Sequence, residues 1–121
     1  ALLVASRIGR LDIVEALIDA NASVNETSDG NSSPLTAASM RGHIDIVRRL
    51  LSSGADPNRE TDSKDTPLSL AVWKNHTKVV KALIRARADC SHVDKYGDTV
   101  LIDAIKHGNF EIIKYVLSSK A

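Results

Sequence analysis

The chain has 121 residues, of which 43% are hydrophobic, 26% are charged and only 3% are aromatic, so it holds enough material for one domain with an aliphatic core. The net charge of +1 gives no general attraction to nucleic acid or to an acidic membrane surface. Cys90, the single cysteine, excludes an intrachain disulfide, and no apolar run approaches the roughly 20 residues of a membrane span. We therefore expect an intracellular protein, located in the cytoplasm, the nucleus or both.

The chain repeats itself with a period of 33 residues. The segments "SPLTAASMRGHIDIVRRLLSSGAD" and "TPLSLAVWKNHTKVVKALIRARAD" align without gaps, and the leucines at 2, 35, 68 and 101 fall in one column. A fixed period of this length indicates stacked structural units. The predicted units are a partial repeat at 1–26, full repeats at 27–59 and 60–92, and a truncated repeat at 93–121. Because the chain begins and ends inside units, we expect it to be part of a longer array.

Each unit carries the pattern of two short helices. The chain opens in a helical pattern, "ALLVASRIG", and Ser33–Pro34 marks the first helix of the second unit, because a hydroxyl caps free backbone amides and proline fits the first helical position. Gly42 ends this helix in a left-handed turn, and "HIDIVRRLL" has the spacing of a second, amphipathic helix. Thr66–Pro67 begins the same pattern in the third unit. Helices of about ten residues are marginal alone, so stacking must stabilise them.

The segment "SSPLTAASMRGHIDIVRRLLSSGADPN" resembles the ankyrin repeat, whose pattern is a turn, T-P-L-H-x-A, a helix, G-H, a second helix and G-A-D-x-N. The resemblance covers essentially the whole chain, since the period, the turn residues and both helix patterns agree. It implies an all-α ankyrin-repeat solenoid of stacked helix–turn–helix units with short β-hairpin or turn fingers. It also implies that partners bind the concave surface formed by the fingers and the first helix of each unit.

The resemblance places partner contacts at the two residues before each interhelical turn and at the finger tips. The helix positions are basic with apolar bulk, and the finger tips lean acidic. The candidate contact residues are Arg7, Ile8, Met40, Arg41, Trp73, Lys74, Lys106 and His107 on the helices, and Asp29, Asp62, Asp65, Tyr96 and Asp98 on the fingers. A cationic, apolar floor beside an acidic rim suits an extended peptide with acidic and hydrophobic residues. Trp73 stands in this variable column, outside the core, and is the leading contact residue.

The first function hypothesis is a protein–protein interaction module, an adaptor or scaffold that binds a peptide or a protein domain. The alternative is an intramolecular regulatory or spacer segment of a larger multidomain enzyme or channel. Nucleic-acid binding through Arg41, Lys74 and Lys106 is a weaker alternative, because the acidic fingers oppose it and stacking aromatics are scarce. The sequence shows no nucleophile with its base, no phosphate-binding glycine loop and no zinc-ligand spacing, so we expect no enzyme activity, cofactor, metal or small-molecule substrate.

Several polar residues have structural interpretations. His43 and His76 match the family's G-H position, where the imidazole hydrogen-bonds nearby backbone, and Cys90 is expected to be a buried, inert thiol. Asn25 and Asn58 match the finger asparagine that bonds across the turn. In this family such asparagines, with a leucine eight residues earlier, can be substrates of an oxygen-sensing asparaginyl hydroxylase, and both positions have that leucine.

Two further expectations concern stability. Lys64, Asn75 and Arg87 stand where the family prefers glycine in a left-handed conformation, so the third unit is predicted to open first. Apolar helix faces at the ends of the array, around Leu2 and from 112 to 117, are predicted to be exposed and to allow self-association of the isolated fragment.

Overall fold

The computed structural model describes residues 1–119, except for the side chain of Asp29, and consists of paired α-helices. The helices are α1 (Leu2–Ile8), α2 (Leu11–Asp19), α3 (Pro34–Arg41), α4 (Ile44–Ser52), α5 (Pro67–Trp73), α6 (Thr77–Arg85), α7 (Val100–His107) and α8 (Phe110–Ser119). A short 3-10 helix spans Asp29–Asn31, and residues 1–119 contain no β-strand. None of the described helices is long and apolar enough to cross a membrane. The predicted all-α repeat architecture is confirmed.

The helices form two layers. The first helices of the units, α1, α3, α5 and α7, stack in chain order as the inner layer, and α2, α4, α6 and α8 stack beside them as the outer layer. Ala38 and Ala71 of the inner layer have no accessible surface, because small side chains let neighbouring helices approach closely. Leu50 and Leu83 of the outer layer are equally buried, and the buried side chains form one continuous aliphatic core.

The inner helices begin at the caps that the sequence indicates. The Ser33 hydroxyl accepts a hydrogen bond from the Thr36 amide at 3.2 Å. Thr66 and Ser69 exchange two bonds between side chain and backbone, of 3.1 and 2.9 Å, which form a complete capping box. A hydroxyl cap of this kind typically contributes about 1 kcal/mol to stability.

A histidine before each of two outer helices ties its unit to the preceding one. Nε2 of His43 lies 3.1 Å from the carbonyl oxygen of Arg7, and Nε2 of His76 lies 3.1 Å from that of Met40. A Cβ atom on Gly42, whose φ is +76°, would lie 2.6 Å from the His76 ring. Glycine is therefore required there by the left-handed backbone and by the imidazole packed over it. The structural assignment of both histidines is confirmed.

At the third junction between units, both the glycine and the histidine of this arrangement are replaced. Asn75 adopts φ +65° at the glycine position, and Asn109 stands where the two preceding units have histidine. The Asn109 amide donates to the side-chain oxygen of Asn75 and, at 3.2 Å, to the Thr77 hydroxyl. A side chain is tolerated at position 75 because no imidazole packs over it. Lys64 and Arg87 are also left-handed, with φ of +64° and +69°.

Two expectations about burial are wrong in part. Leu2 and Ile112, expected on exposed end faces, are at most 1% exposed, because neighbouring helices cover those faces of α1 and α8. The terminal helix α8 instead exposes Phe110 and Leu117, at 70% and 52%. Cys90 is half-buried rather than buried. The self-association predicted from exposed ends stays a prediction.

Candidate functional site

The inner helices and the fingers meet in one surface, which we call the finger groove. It consists of the residues at the ends of the inner helices and of three finger turns, at 28–32, 61–65 and 94–98, each closed by a backbone bond of 2.8–2.9 Å. Met40 is half-buried in this surface. The other candidate residues on the helices are exposed: Arg7, Ile8, Arg41, Trp73, Lys74, Lys106 and His107.

A hollow of about 200 Å³ lies in the finger groove between α5 and the third finger. Trp73 and Lys74 line it from the end of the helix, Leu70 from the preceding turn of α5, and Lys95 and Tyr96 from the finger. Apolar walls with a few polar groups at the edge are typical of sites that bind a side chain of a partner. The structure thus brings together four of the candidate contact residues: Trp73, Lys74, Tyr96 and Asp65.

The two aromatic residues of the hollow are exposed, and each has one neighbouring side chain against its ring. The Trp73 indole meets the His107 ring edge-on, with the ring centroids 4.9 Å apart and an interplanar angle of 69°. Trp73 is 46% exposed, which agrees with its placement outside the core. Tyr96 is 65% exposed, and Nζ of Lys95 lies 5.3 Å from the centre of its ring. Tryptophan and tyrosine are enriched among the residues that dominate binding energy in protein interfaces.

Two aspartates complete the lining of the hollow, and they differ in availability. Partial burial raises the pKa of Asp65, while the charge of Lys95 opposes that rise. Burial also acts against the charge of Asp94, but its pKa is lowered because the backbone amides of Asp98 and Tyr96 donate to it. Asp94 is therefore engaged in holding the third finger, and Asp65 is the carboxylate that a partner could contact.

Two carboxylates of the acidic rim are already engaged within the molecule. Nζ of Lys106 donates to Asp98 at 2.5 Å, and the Asn31 side-chain amide donates to Asp62 at 2.7 Å. The side chain of Asp29 lies outside the described part of the chain. Within residues 1–119, no ion pair engages the remaining basic helix positions, which are Arg7, Arg41 and Lys74. The basic positions are therefore more available to a partner than the acidic tips.

A buried carboxyl group behind the third finger was not predicted. Asp103 of α7 is 2% exposed, and carboxylate oxygens of Asp94, Asp98 and Asp103 lie within 4.8 Å of one another. Burial, the hydrogen bond to Asp94 and the neighbouring negative charges raise the pKa of Asp103 to about 6. A charged residue in a column that is otherwise apolar was the available signal. Leu70 occupies the same position in the repeat as Asp103. It was not among the predicted lining residues, because the ankyrin resemblance was applied on the helices only to the two residues before each interhelical turn.

The side chains of the finger asparagines, which were expected to bond across their own turn, bond to the next unit. The side-chain oxygen of Asn25 accepts the Asp56 amide at 2.8 Å, and that of Asn58 accepts the Asp89 amide at 2.7 Å. These bonds tie consecutive units together at the base of the fingers. Hydroxylation of Asn25 and Asn58 stays a prediction; both side chains are exposed.

Comparison with known proteins agrees with the repeat organisation. A family model described as ankyrin repeats (3 copies) matches residues 1–61 and again residues 59–121, so that the two matches together span the chain. No curated protein matches the chain.

Proposed function

The chain belongs to the ankyrin repeat family, whose members are generally protein–protein interaction modules, and from this premise we propose that it binds an extended segment of a partner protein in the finger groove. The main support for this proposal is the exposure of Trp73. This large aromatic side chain is 46% exposed and lines a hollow that Tyr96 also lines. In this proposal the module acts as an adaptor or scaffold.

The aromatic residues of the hollow supply the binding energy. Covering the exposed part of an indole removes on the order of 100 Å² of apolar surface from water, which is worth about 2–3 kcal/mol. Because the contact with His107 already orients the Trp73 ring, little side-chain entropy is lost when a partner covers it. An apolar side chain of the partner would fill the hollow between Trp73 and Tyr96.

The charges of the groove set the partner's composition. Lys74 and Lys95 flank the hollow, so we propose that the partner carries a carboxylate next to the apolar residue that enters it. The acidic tips Asp62 and Asp65 repel carboxylates. The partner segment should therefore bind in the direction that places its carboxylate beside Lys74 and Lys95 and away from these tips. The proposed contact continues along α1 and α3 through Arg7, Ile8, Met40 and Arg41, with Asp29 on the first finger. At the other end it reaches Lys106, His107 and Asp98.

Selection from a random peptide display library tests this proposal and requires no identified partner. We expect the selected peptides to share a carboxylate beside a large apolar residue. Trp73→Ala should weaken their binding about tenfold or more. The matched control is Phe110→Ala, which truncates another exposed aromatic residue on the outer layer and should leave binding within about twofold.

Equal binding by the wild type and Trp73→Ala, or a larger loss with Phe110→Ala, would show that the partner surface lies elsewhere. Circular dichroism of both variants verifies that the helices are retained. Failure to select any peptide against the folded protein would favour the intramolecular alternative, in which another part of the same polypeptide occupies the groove.

A further inference from the structure

The outward faces of two outer helices, α2 and α6, carry opposite charge. Three exposed positions of α2 that are acidic have basic counterparts 66 residues later on α6, at the same places in the repeat. The acidic residues are Asp12, Glu15 and Asp19, and the basic residues are Lys78, Lys81 and Arg85. The net charge of +1 conceals this segregation, which the stacking of the units does not require.

The basic positions of α6 line a groove against α4. This outer groove is a hollow of about 420 Å³, and Arg48 of α4 adds a fourth cation to those of α6. Leu51 and Ala82 supply an apolar floor. The groove lies on the outer layer and shares no lining residue with the hollow at Trp73.

Little negative charge offsets these four cations. Lys81 forms an ion pair with Glu111 at 2.8 Å, and Nε of Arg85 donates to the Tyr115 hydroxyl at 3.2 Å. In the described part of the chain, Arg48 and Lys78 take part in no ion pair. Like charges gathered around an apolar floor attract a ligand that carries the opposite charge and a small apolar surface.

We propose that the outer groove binds an acidic segment of a partner protein, with carboxylates facing the four cations and small apolar side chains on the floor. The spacing of Lys78, Lys81 and Arg85 along one helix face matches carboxylates repeated at each helical turn of such a segment. A membrane surface fits less well, because the apolar floor is recessed between charged side chains. Nucleic acid fits less well, because the lining contains no aromatic ring on which a base could stack.

The test uses a fluorescein-labelled 14-residue peptide with glutamate at each helical turn and with alanine and leucine between. Its binding to the protein is followed by fluorescence anisotropy at two salt concentrations. We expect Arg48→Glu with Lys78→Glu to weaken binding about tenfold, and higher salt to weaken it in the wild type. The matched control, Arg10→Glu with Arg59→Glu, makes the same charge change outside both grooves and should alter binding less than about twofold. A second variant, Arg41→Glu with Lys74→Glu, measures the share of the peptide that binds the finger groove. Glutamine in place of glutamate in the peptide should abolish binding.

The proposal is overturned if the outer-groove variant binds the peptide as well as the wild type does. Loss of binding only in the finger-groove variant would likewise overturn it, while supporting the finger groove. A DNA duplex or phosphatidylserine vesicles could instead bind more tightly than the peptide does. If Arg48→Glu with Lys78→Glu abolishes that binding, the groove binds that ligand, and the proposal of an acidic protein segment is wrong. Sedimentation velocity showing a dimer that the same variant dissociates would assign the groove to a second copy of the chain and contradict the proposal.

Discussion

Replacing Asp103 by asparagine should abolish a loss of stability that the wild type suffers as the pH rises from about 4 to 7. The carboxyl group of Asp103 is 2% exposed, and within the described residues its Oδ2 has no hydrogen-bond partner. Burial first, and then Asp94 and Asp98, raise its pKa from 3.8 to about 6. At neutral pH the folded protein therefore holds a poorly solvated negative charge near two others.

The sign follows from proton linkage. Because the pKa is higher in the folded state than in the unfolded chain, the folded state binds the proton more tightly. The stabilisation is fully present below about pH 4 and is lost as the pH rises through about 6. A pKa change from 3.8 to about 6 corresponds to about 3 kcal/mol. Because water and neighbouring groups relax around a buried charge, we expect the measured effect to be about 2 kcal/mol.

Urea denaturation at pH 4.5, 5.5, 6.5 and 7.5 measures this effect. Asparagine has nearly the same shape, keeps a donor for Asp94 and carries no charge. The free energy of unfolding of Asp103→Asn should exceed that of the wild type by about 2 kcal/mol at pH 7.5 and by less than about 1 kcal/mol at pH 4.5, where the unfolded chain has already begun to ionise. Glu15→Gln, at an exposed position in the middle of α2, is the control and should run parallel to the wild type. Parallel curves for Asp103→Asn, or a less stable variant at pH 7.5, would refute the reasoning.

Three further predictions concern the backbone and the junctions between units. Lys64→Gly and Arg87→Gly should each raise the free energy of unfolding by about 1 kcal/mol, because both residues are left-handed; lower values in urea denaturation would contradict this. Gly42→Ala should lower the free energy of unfolding by about 2–3 kcal/mol, because strain of the left-handed backbone and displacement of the His76 ring both destabilise the folded state. Adding His76→Ala should recover part of that loss, and strictly additive effects in a double-mutant cycle would exclude the contact. Hydrogen exchange should show that residues 60–92 open first, and slowest exchange in that unit would contradict the strain argument.

Residues at the same position of each repeat have equivalent neighbours in every unit. The repeat period was therefore sufficient to predict the helices and the core. The caps at Ser33 and Thr66 and the left-handed turn at Gly42 depend on residues close in sequence, so local chemistry was sufficient to predict them. The paired replacement of glycine and histidine by Asn75 and Asn109 was not predicted, although both residues are visible. It depends on a contact between residues 34 positions apart, which a column-by-column alignment does not display.

The site was predictable to a similar extent. The exposure of Trp73 was predicted from its position in the repeat. Its contact with His107 and the hollow that it shares with Tyr96 were not predicted, because they depend on how adjacent units stack. The ion pair between Lys106 and Asp98 changed the expected balance of charge, since it occupies one cation and one carboxylate of the groove. Asp103 was overlooked because burial at its position differs between repeats, with Val4 45% exposed and Leu70 half-buried, so the sequence does not show how deep the aspartate lies.

Crosslinking mass spectrometry in cell extract tests the central claim most directly, because the lysines of the two layers report on different surfaces. If the finger groove is the partner site, intermolecular links should form through Lys74, Lys95 and Lys106, and Trp73→Ala should abolish them while helical content is unchanged. Links confined to Lys78, Lys81 and Lys114 of the outer layer, or finger-groove links that persist in Trp73→Ala, would contradict it.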